Sequence, residues 1–259
     1  MSENGRTKGG SSPSYLSRFG ARSPRREDVE IGVLGSFRVR VEGEEIDFPP
    51  IVQRAIAYLA VVRRPIPRNV MVETLWPEGP EARGRARLRN VIWKANSTVS
   101  GLVVSREMGV DLSHEATVDY SRARAACHQA LGSDGRPGVL PHDADLLFED
   151  LLPDWDEEWL DSERRAFNMF RVRALEREAR RLFHGGRFFE AEQACEAIIA
   201  SEPYRESARL LLAELHLAEG NGGLAMQELV GFTELLRQEL GVAPNGEIQR
   251  LISSLAEAV

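Results

Sequence analysis

The spacing of apolar residues changes along the chain from a period of two to the period of a helix. Residues 31–41 alternate between apolar and other side chains, which predicts two short antiparallel strands, and residues 45–48 predict a third. From residue 50 the apolar positions fall three and four apart, as on one face of a helix. They predict a helix that ends before Pro65 and a shorter helix over residues 68–76.

The stretch EARGRARLRNVIWKANS, residues 81–97, predicts a third helix with an apolar side and a basic side. The apolar side consists of Leu88, Val91, Ile92 and Ala95. Residues 102–113 then predict a hairpin of two short strands. Strands, three helices and a hairpin are the element order of a winged helix-turn-helix, whose third helix enters the major groove of DNA and whose hairpin is the wing.

The basic side of the third helix is the best candidate for a DNA interface. At about 100° per residue, six side chains lie opposite the apolar side or flank it: Arg83, Arg87, Arg89, Asn90, Trp93 and Lys94. Arg85 falls nearer the apolar side, which predicts a flanking or packing role. Guanidinium groups neutralise phosphates and can donate two hydrogen bonds to one guanine base. An asparagine side chain can form two hydrogen bonds with one adenine base in the same way. Arg106 of the hairpin is expected on a phosphate. Trp93 has two open interpretations: contact with a DNA sugar or thymine methyl, or packing against the hairpin.

From residue 120 onward the pattern is almost entirely helical and contains an internal repeat. Six pairs of residues recur 34 positions apart, the tetratricopeptide period: Ala174 and Ala208, Ala179 and Ala213, Phe183 and Leu217, Gly186 and Gly220, Ala191 and Ala225, and Ile198 and Phe232. Two stacked helical hairpins with flanking helices are therefore expected. The predicted fold is an α+β winged helix-turn-helix domain, residues 29–119, followed by an all-α tetratricopeptide-like domain, residues 120–259. Residues 1–28 are predicted to be a disordered tail.

Charge divides the chain in a similar way. Residues 50–100 contain nine Arg or Lys and three Asp or Glu, whereas residues 140–259 contain twelve and twenty-four. The two halves are therefore expected to meet different partners, although the net charge of the chain is −7. Arg25 and Arg26 in the tail would add unspecific attraction to DNA.

Motifs of catalysis, metal binding and membrane insertion do not occur in the sequence. There is no GxGxxG, Walker A, HExxH or GxSxG pattern, and the 5 histidines are scattered. The acidic run over residues 154–161 lacks the glycine of a calcium loop and indicates the solvated start of a helix. No apolar run approaches the roughly 18 residues that a membrane span needs. Cys127 and Cys195 are expected to be reduced, packed thiols in the cytoplasm. No enzyme activity, cofactor or metal is predicted.

Eight stretches of the sequence carry a resemblance to a known family. In the first half they are IGVLGSFRVRVEGEEI, QRAIAYLAV, ETLWPEG and RARLRNVIWKAN. In the second half they are DLLPDWDEEWLDSERRAF, ALEREARRLFHGGRFFEAEQAC, EPYRESARLLLAELHLAEGN and LLRQELGVAPN. Over residues 29–255 the chain resembles the SARP family, antibiotic regulatory proteins that join an OmpR-type winged helix to a bacterial transcriptional activator domain.

The resemblance implies a transcriptional activator that binds direct repeats in promoter DNA, recruits RNA polymerase holoenzyme and controls a secondary-metabolite gene cluster. It implies a cytoplasmic, nucleoid-associated protein whose copies associate with one another on the direct repeats of the DNA. It places a polymerase contact in the loop between the second and third helices: Trp76, Pro77, Glu78, Gly79, Pro80 and Glu81. Departures from many members at Arg89, Val91 and Trp93 keep the operator sequence open. The alternative is a tetratricopeptide scaffold whose winged helix contacts protein rather than DNA.

Overall fold

The computed structural model describes residues 28–132 and 143–257 of the chain. Except for Asp28, the predicted tail, with Arg25 and Arg26, lies outside the described residues. The described strands are β1 (Val29–Gly32), β2 (Arg38–Val41), β3 (Glu44–Glu45), β4 (Val103–Arg106), β5 (Gly109–Leu112) and β6 (Thr117–Val118). The helices are α1 (Pro50–Val62), α2 (Arg68–Leu75), α3 (Glu81–Thr98), α4 (Asp119–Leu131), α5 (Glu158–His184), α6 (Phe188–Ser201), α7 (Glu206–Ala218), α8 (Gly222–Glu239) and α9 (Gly246–Glu257), with a 3₁₀ helix over Ala144–Phe148.

The N-terminal sheet has four strands in the order β3-β2-β1-β6. The first three strands are antiparallel neighbours, as the alternation predicts, with Ile31 opposite Val39. The third strand is shorter than predicted and covers only Glu44–Glu45. The parallel pairing of β6 with β1, Ile31 opposite Val118, was not predicted. A two-residue strand is too short to show a period of its own, so only its partner reveals it.

The three predicted helices are confirmed, and a proline lies at the start of each. Pro50 occupies the first turn of α1, while Pro67 and Pro80 directly precede α2 and α3. Proline suits these positions because its fixed φ matches the helix and its missing N–H would have no partner in the first turn. α1 is the central helix of this half, and eight of its thirteen residues are buried.

The predicted wing is also confirmed. β4 and β5 form an antiparallel pair with Arg106 opposite Gly109, and Glu107 and Met108 make the turn. The hairpin is attached to the link between α1 and α2 by two backbone bonds of 2.8 Å that Ile66 and Val110 exchange. Gly109 has a φ of 141°, and a Cβ there would lie 2.1 Å from the carbonyl oxygen of Ile66. Glycine therefore permits the close contact that fixes the wing.

A buried aspartate connects the sheet to the helical half. Asp119, 8% exposed, accepts backbone N–H bonds from Val33 at 2.9 Å, from Leu34 at 3.1 Å and from Tyr120 at 2.6 Å. Burial raises the pKa of Asp119, while these donors and the guanidinium of Arg38 at 3.7 Å lower it in part. The carboxylate thus satisfies N–H groups that a side chain without an acceptor would leave unpaired.

The helical half consists of stacked pairs, as the 34-residue period predicts. α5 packs on α6, α6 on α7, and α7 on α8. Equivalent repeat residues are buried in both pairs: Ala174, Ala208, Ala179, Ala213, Ala191, Ala225, Ile198 and Phe232. The small side chains let the helix axes approach closely, and Ile248 of α9 completes the last apolar cluster. α9 is thus one of the flanking helices that the sequence predicts.

One hydrophobic core crosses the predicted boundary between residues 119 and 120, and extends from Val29 to Leu215. Tyr58 of α1 packs edge-on against Trp159 of α5, with ring centroids 5.0 Å apart. A backbone hydrogen bond also joins the two halves: the N–H of Leu152 donates to the carbonyl of Val33 at 2.9 Å. The two halves therefore pack as one unit across this boundary, and the division into two domains stays a prediction.

The acidic run over residues 154–161 is only partly the solvated helix start that was predicted. Asp154, Asp156 and Glu158 are exposed. Glu157 instead forms an ion pair with Arg54 of α1, with Nε and Oε1 2.6 Å apart, and its side chain is only 14% exposed. The prediction was wrong for Glu157 because its partner lies 103 positions earlier in the sequence.

The two cysteines are packed, as predicted, and neither forms a disulfide. Burial raises the pKa of Cys127 to about 11 and that of Cys195 to about 12, so both thiols stay protonated and unreactive near neutral pH. Among residues 28–132 and 143–257, no helix combines the length and the apolar character needed to cross a membrane. No group of three or more potential metal ligands occurs within the same residues.

Candidate nucleic-acid interface

The recognition candidate, α3, is fixed by one apolar side. Leu88, Val91 and Ala95 are buried, with exposures of 1%, 4% and 0%, and Ile92 is half-buried. Burying a leucine or valine side chain contributes roughly 1.5–3 kcal/mol, so these contacts suffice to orient the helix. Gly84 adds a contact that the periodicity did not indicate. A Cβ at Gly84 would lie 2.3 Å from Cγ1 of Val72, so glycine permits α2 and α3 to approach closely.

The opposite side of α3, here called the outer face, consists of Arg83, Arg87, Asn90 and Lys94, and all four residues are exposed. The structure thus brings together on one surface four of the six side chains that the helical wheel predicted. The other two, Arg89 and Trp93, are also exposed but lie on the flank that faces the wing. Three of the four outer-face residues, Arg83, Arg87 and Lys94, are cations. In the part of the chain that the structure describes, none of the three has a carboxylate partner. Their charges are consequently available to an external anion such as a phosphate.

Of the two roles predicted for Arg85, flanking or packing, the structure removes the packing role, because Arg85 is exposed. Its guanidinium is 62% exposed and donates to Oε1 of Glu81 at 2.5 Å. Glu81 is the first residue of α3, so the predicted loop between the second and third helices ends at Pro80 rather than at Glu81. In that loop, Trp76 is half-buried against the core, whereas Pro77, Glu78, Gly79 and Pro80 are exposed.

A groove of about 960 Å³ lies between α3, the start of α2 and the wing, and is called the α3–wing groove below. Trp93 and Arg89 of α3 line one side, and Met108 at the hairpin turn lines the other. Trp93 is 69% exposed and Met108 is 78% exposed. Trp93 is therefore not buried against the hairpin, which removes one of its two interpretations.

The wing is held at a defined position relative to α3 by Asn96, a residue that the sequence reasoning missed. Its Nδ2 donates to the carbonyl of Val103 at 2.8 Å, and its Oδ1 accepts from the N–H of Val103 at 2.9 Å. Arg106, at the end of the same strand, is exposed. An asparagine near the end of a helix and before a turn was the available signal, since its amide can bond a backbone donor and acceptor together.

Comparison with known proteins finds a matching domain family and a distant relative. Residues 144–256 match the model of the bacterial transcriptional activator domain. Over 253 residues the chain is 26% identical to the regulatory protein AfsR of Streptomyces coelicolor. The chain is therefore distantly similar to AfsR, and its helical half contains a bacterial transcriptional activator domain. The alignment covers 93% of this chain and 25% of AfsR, so the chain spans about a quarter of the length of that curated relative.

A solved structure shows the same fold as this chain. It is Mycobacterium tuberculosis EmbR in complex with a low-affinity phosphopeptide, with a TM-score of 0.67 and 18% sequence identity. The match covers 90% of this chain and 66% of the EmbR chain. The predicted fold class, a mixed α/β winged helix followed by an all-helical activator domain, is therefore confirmed.

Proposed function

We propose that the protein is a DNA-binding transcriptional activator that inserts α3 into the major groove of promoter DNA. The observation that carries this proposal is the outer face, with three exposed cations and Asn90 on a helix held rigidly by the core and by Asn96. Its arginines can pair with guanine or phosphate, and Asn90 can pair with adenine. Arg89 and Trp93 would contact DNA at the flank, and Arg106 of the wing would contact a phosphate.

The activator role extends to protein partners. The likeness to AfsR and the match to a bacterial transcriptional activator domain support recruitment of RNA polymerase holoenzyme. The exposed loop residues Pro77–Pro80 are the proposed contact, and the helical half is the proposed site of self-association on direct repeats. We further propose that the protein controls a secondary-metabolite gene cluster and acts in the cytoplasm at the nucleoid, as the resemblance of its sequence to the SARP family implies.

A salt titration tests the DNA-binding step. Sites would first be selected from genomic fragments, and affinity for one site would then be measured by anisotropy at several salt concentrations. If Arg83, Arg87, Arg89, Lys94 and Arg106 each neutralise one phosphate, the slope of log K against log salt is about −4.5. Affinity then falls roughly 500-fold between about 50 and 200 mM salt.

The matched control is Arg173→Ala, which removes an exposed arginine of α5 away from the interface and should leave the slope unchanged. Lys94→Ala should reduce the magnitude of the slope by about 0.9. No binding to any fragment at low salt would refute the proposal and favour the alternative, a helical scaffold whose winged helix contacts protein.

A further inference from the structure

The α3–wing groove differs in charge from the outer face of the same helix. The outer face contains no carboxylate, whereas the groove is lined by three arginines and three glutamates: Arg68, Arg85, Arg89, Glu73, Glu81 and Glu107. A carboxylate beside a phosphate-binding surface weakens binding, because it neutralises a nearby cation and repels the phosphate. The groove therefore contains groups that would oppose DNA binding as well as groups that would support it.

The ion pair between Glu81 and Arg85 lies at this groove, so it affects the charge that the groove would present to DNA. Both side chains belong to α3, one turn apart, and are 61% and 62% exposed. An exposed pair of this type is weak and changes an equilibrium by roughly twofold. A phosphate that approaches the groove can consequently displace Glu81 from Arg85 at little cost.

We propose that Arg85 is a further phosphate contact of the DNA interface, and that Glu81 restrains it and so limits affinity. This inference rests on the proposed function. Arg85 lies one turn before Arg89 on the groove side of α3. With α3 in the major groove and the wing on the adjacent backbone, the intervening DNA strand runs along this groove. Because phosphates are the same in every sequence, the two residues set affinity and not base preference.

The test compares the full chain with E81Q, R85Q and the double variant, using anisotropy on a duplex of random sequence. E81Q should bind about two- to tenfold more tightly at low salt, because one carboxylate is removed and one cation is released. R85Q should bind more weakly and reduce the magnitude of the salt slope by about 0.9. In the R85Q background, E81Q should have a smaller effect, since the restrained cation is already absent.

The matched control is the exposed pair of Glu234 and Arg237 on α8, with Oε1 and Nη2 2.6 Å apart. E234Q and R237Q should leave DNA binding unchanged, and thermal unfolding followed by circular dichroism checks that every variant is folded. Unchanged binding of E81Q and R85Q, together with weaker binding of K94Q, would overturn this inference and leave the proposed function intact. No binding of the unmodified chain at low salt would overturn both.

Discussion

Replacing Asn96 with alanine should loosen the wing relative to α3. The side chain makes two hydrogen bonds to one residue of β4, at 2.8 Å to the carbonyl and at 2.9 Å from the N–H of Val103. Alanine keeps the helix and removes both bonds. Val103 is only 5% exposed, so water cannot freely replace the lost partners.

The magnitude follows from these two bonds. Each contributes about 0.5–1.5 kcal/mol net, so the free energy of unfolding should fall by about 1–3 kcal/mol. Alanine favours a helix more than asparagine does by up to about 0.7 kcal/mol, which reduces the loss slightly. The wing should also hold Arg106 less firmly, so the salt slope for DNA binding should decrease in magnitude by up to about 0.9.

Chemical denaturation and salt-dependent anisotropy would measure the two effects. Thr98→Ala is the control, because the hydroxyl of Thr98 is exposed and, among the residues that the structure describes, bonds only to the carbonyl of Lys94 within the same helix. An Asn96→Ala protein whose free energy of unfolding stays within about 0.5 kcal/mol of the unmodified value would contradict the bracing role of this amide.

Three further predictions concern base reading, wing attachment and pH. Asn90→Ala should cost roughly 1–3 kcal/mol on a selected site and almost nothing on random DNA, and equal losses would remove Asn90 from the base-reading residues. Gly109→Ala should destabilise the protein by about 1–3 kcal/mol in a denaturation experiment, because its Cβ would meet the Ile66 carbonyl; unchanged stability would show that the contact can relax. Burial raises the pKa of Glu176, but bonds from Arg205 and Ser207 outweigh it and lower the pKa below its ordinary value of 4.5. The stability that Glu176→Gln removes should therefore be present above that pH and lost as pH falls through the lowered pKa; a constant difference in acid titrations would contradict this.

Sequence reasoning located the candidate interface because a helical period is a local property. Leu88, Val91 and Ala95 mark the buried side of α3, and the outer face follows by rotation around the helix axis. The same rotation placed Arg85 at the edge of the apolar side but left a flanking and a packing role open. A long, flexible guanidinium at such an edge reaches solvent and a partner one turn away, which the position of its Cα alone does not reveal.

By itself, the sequence determined the elements that depend on neighbours along the chain: the alternating strands, the proline-bounded helices, the basic helix and the 34-residue repeat. Tertiary structure decided the contacts between distant residues. These include β6 beside β1, the bonds from Val33 and Leu34 to Asp119, and the ion pair of Arg54 with Glu157. The physical reason is that periodicity and turn chemistry act over a few residues, whereas such pairs exist only after the core has brought remote segments together.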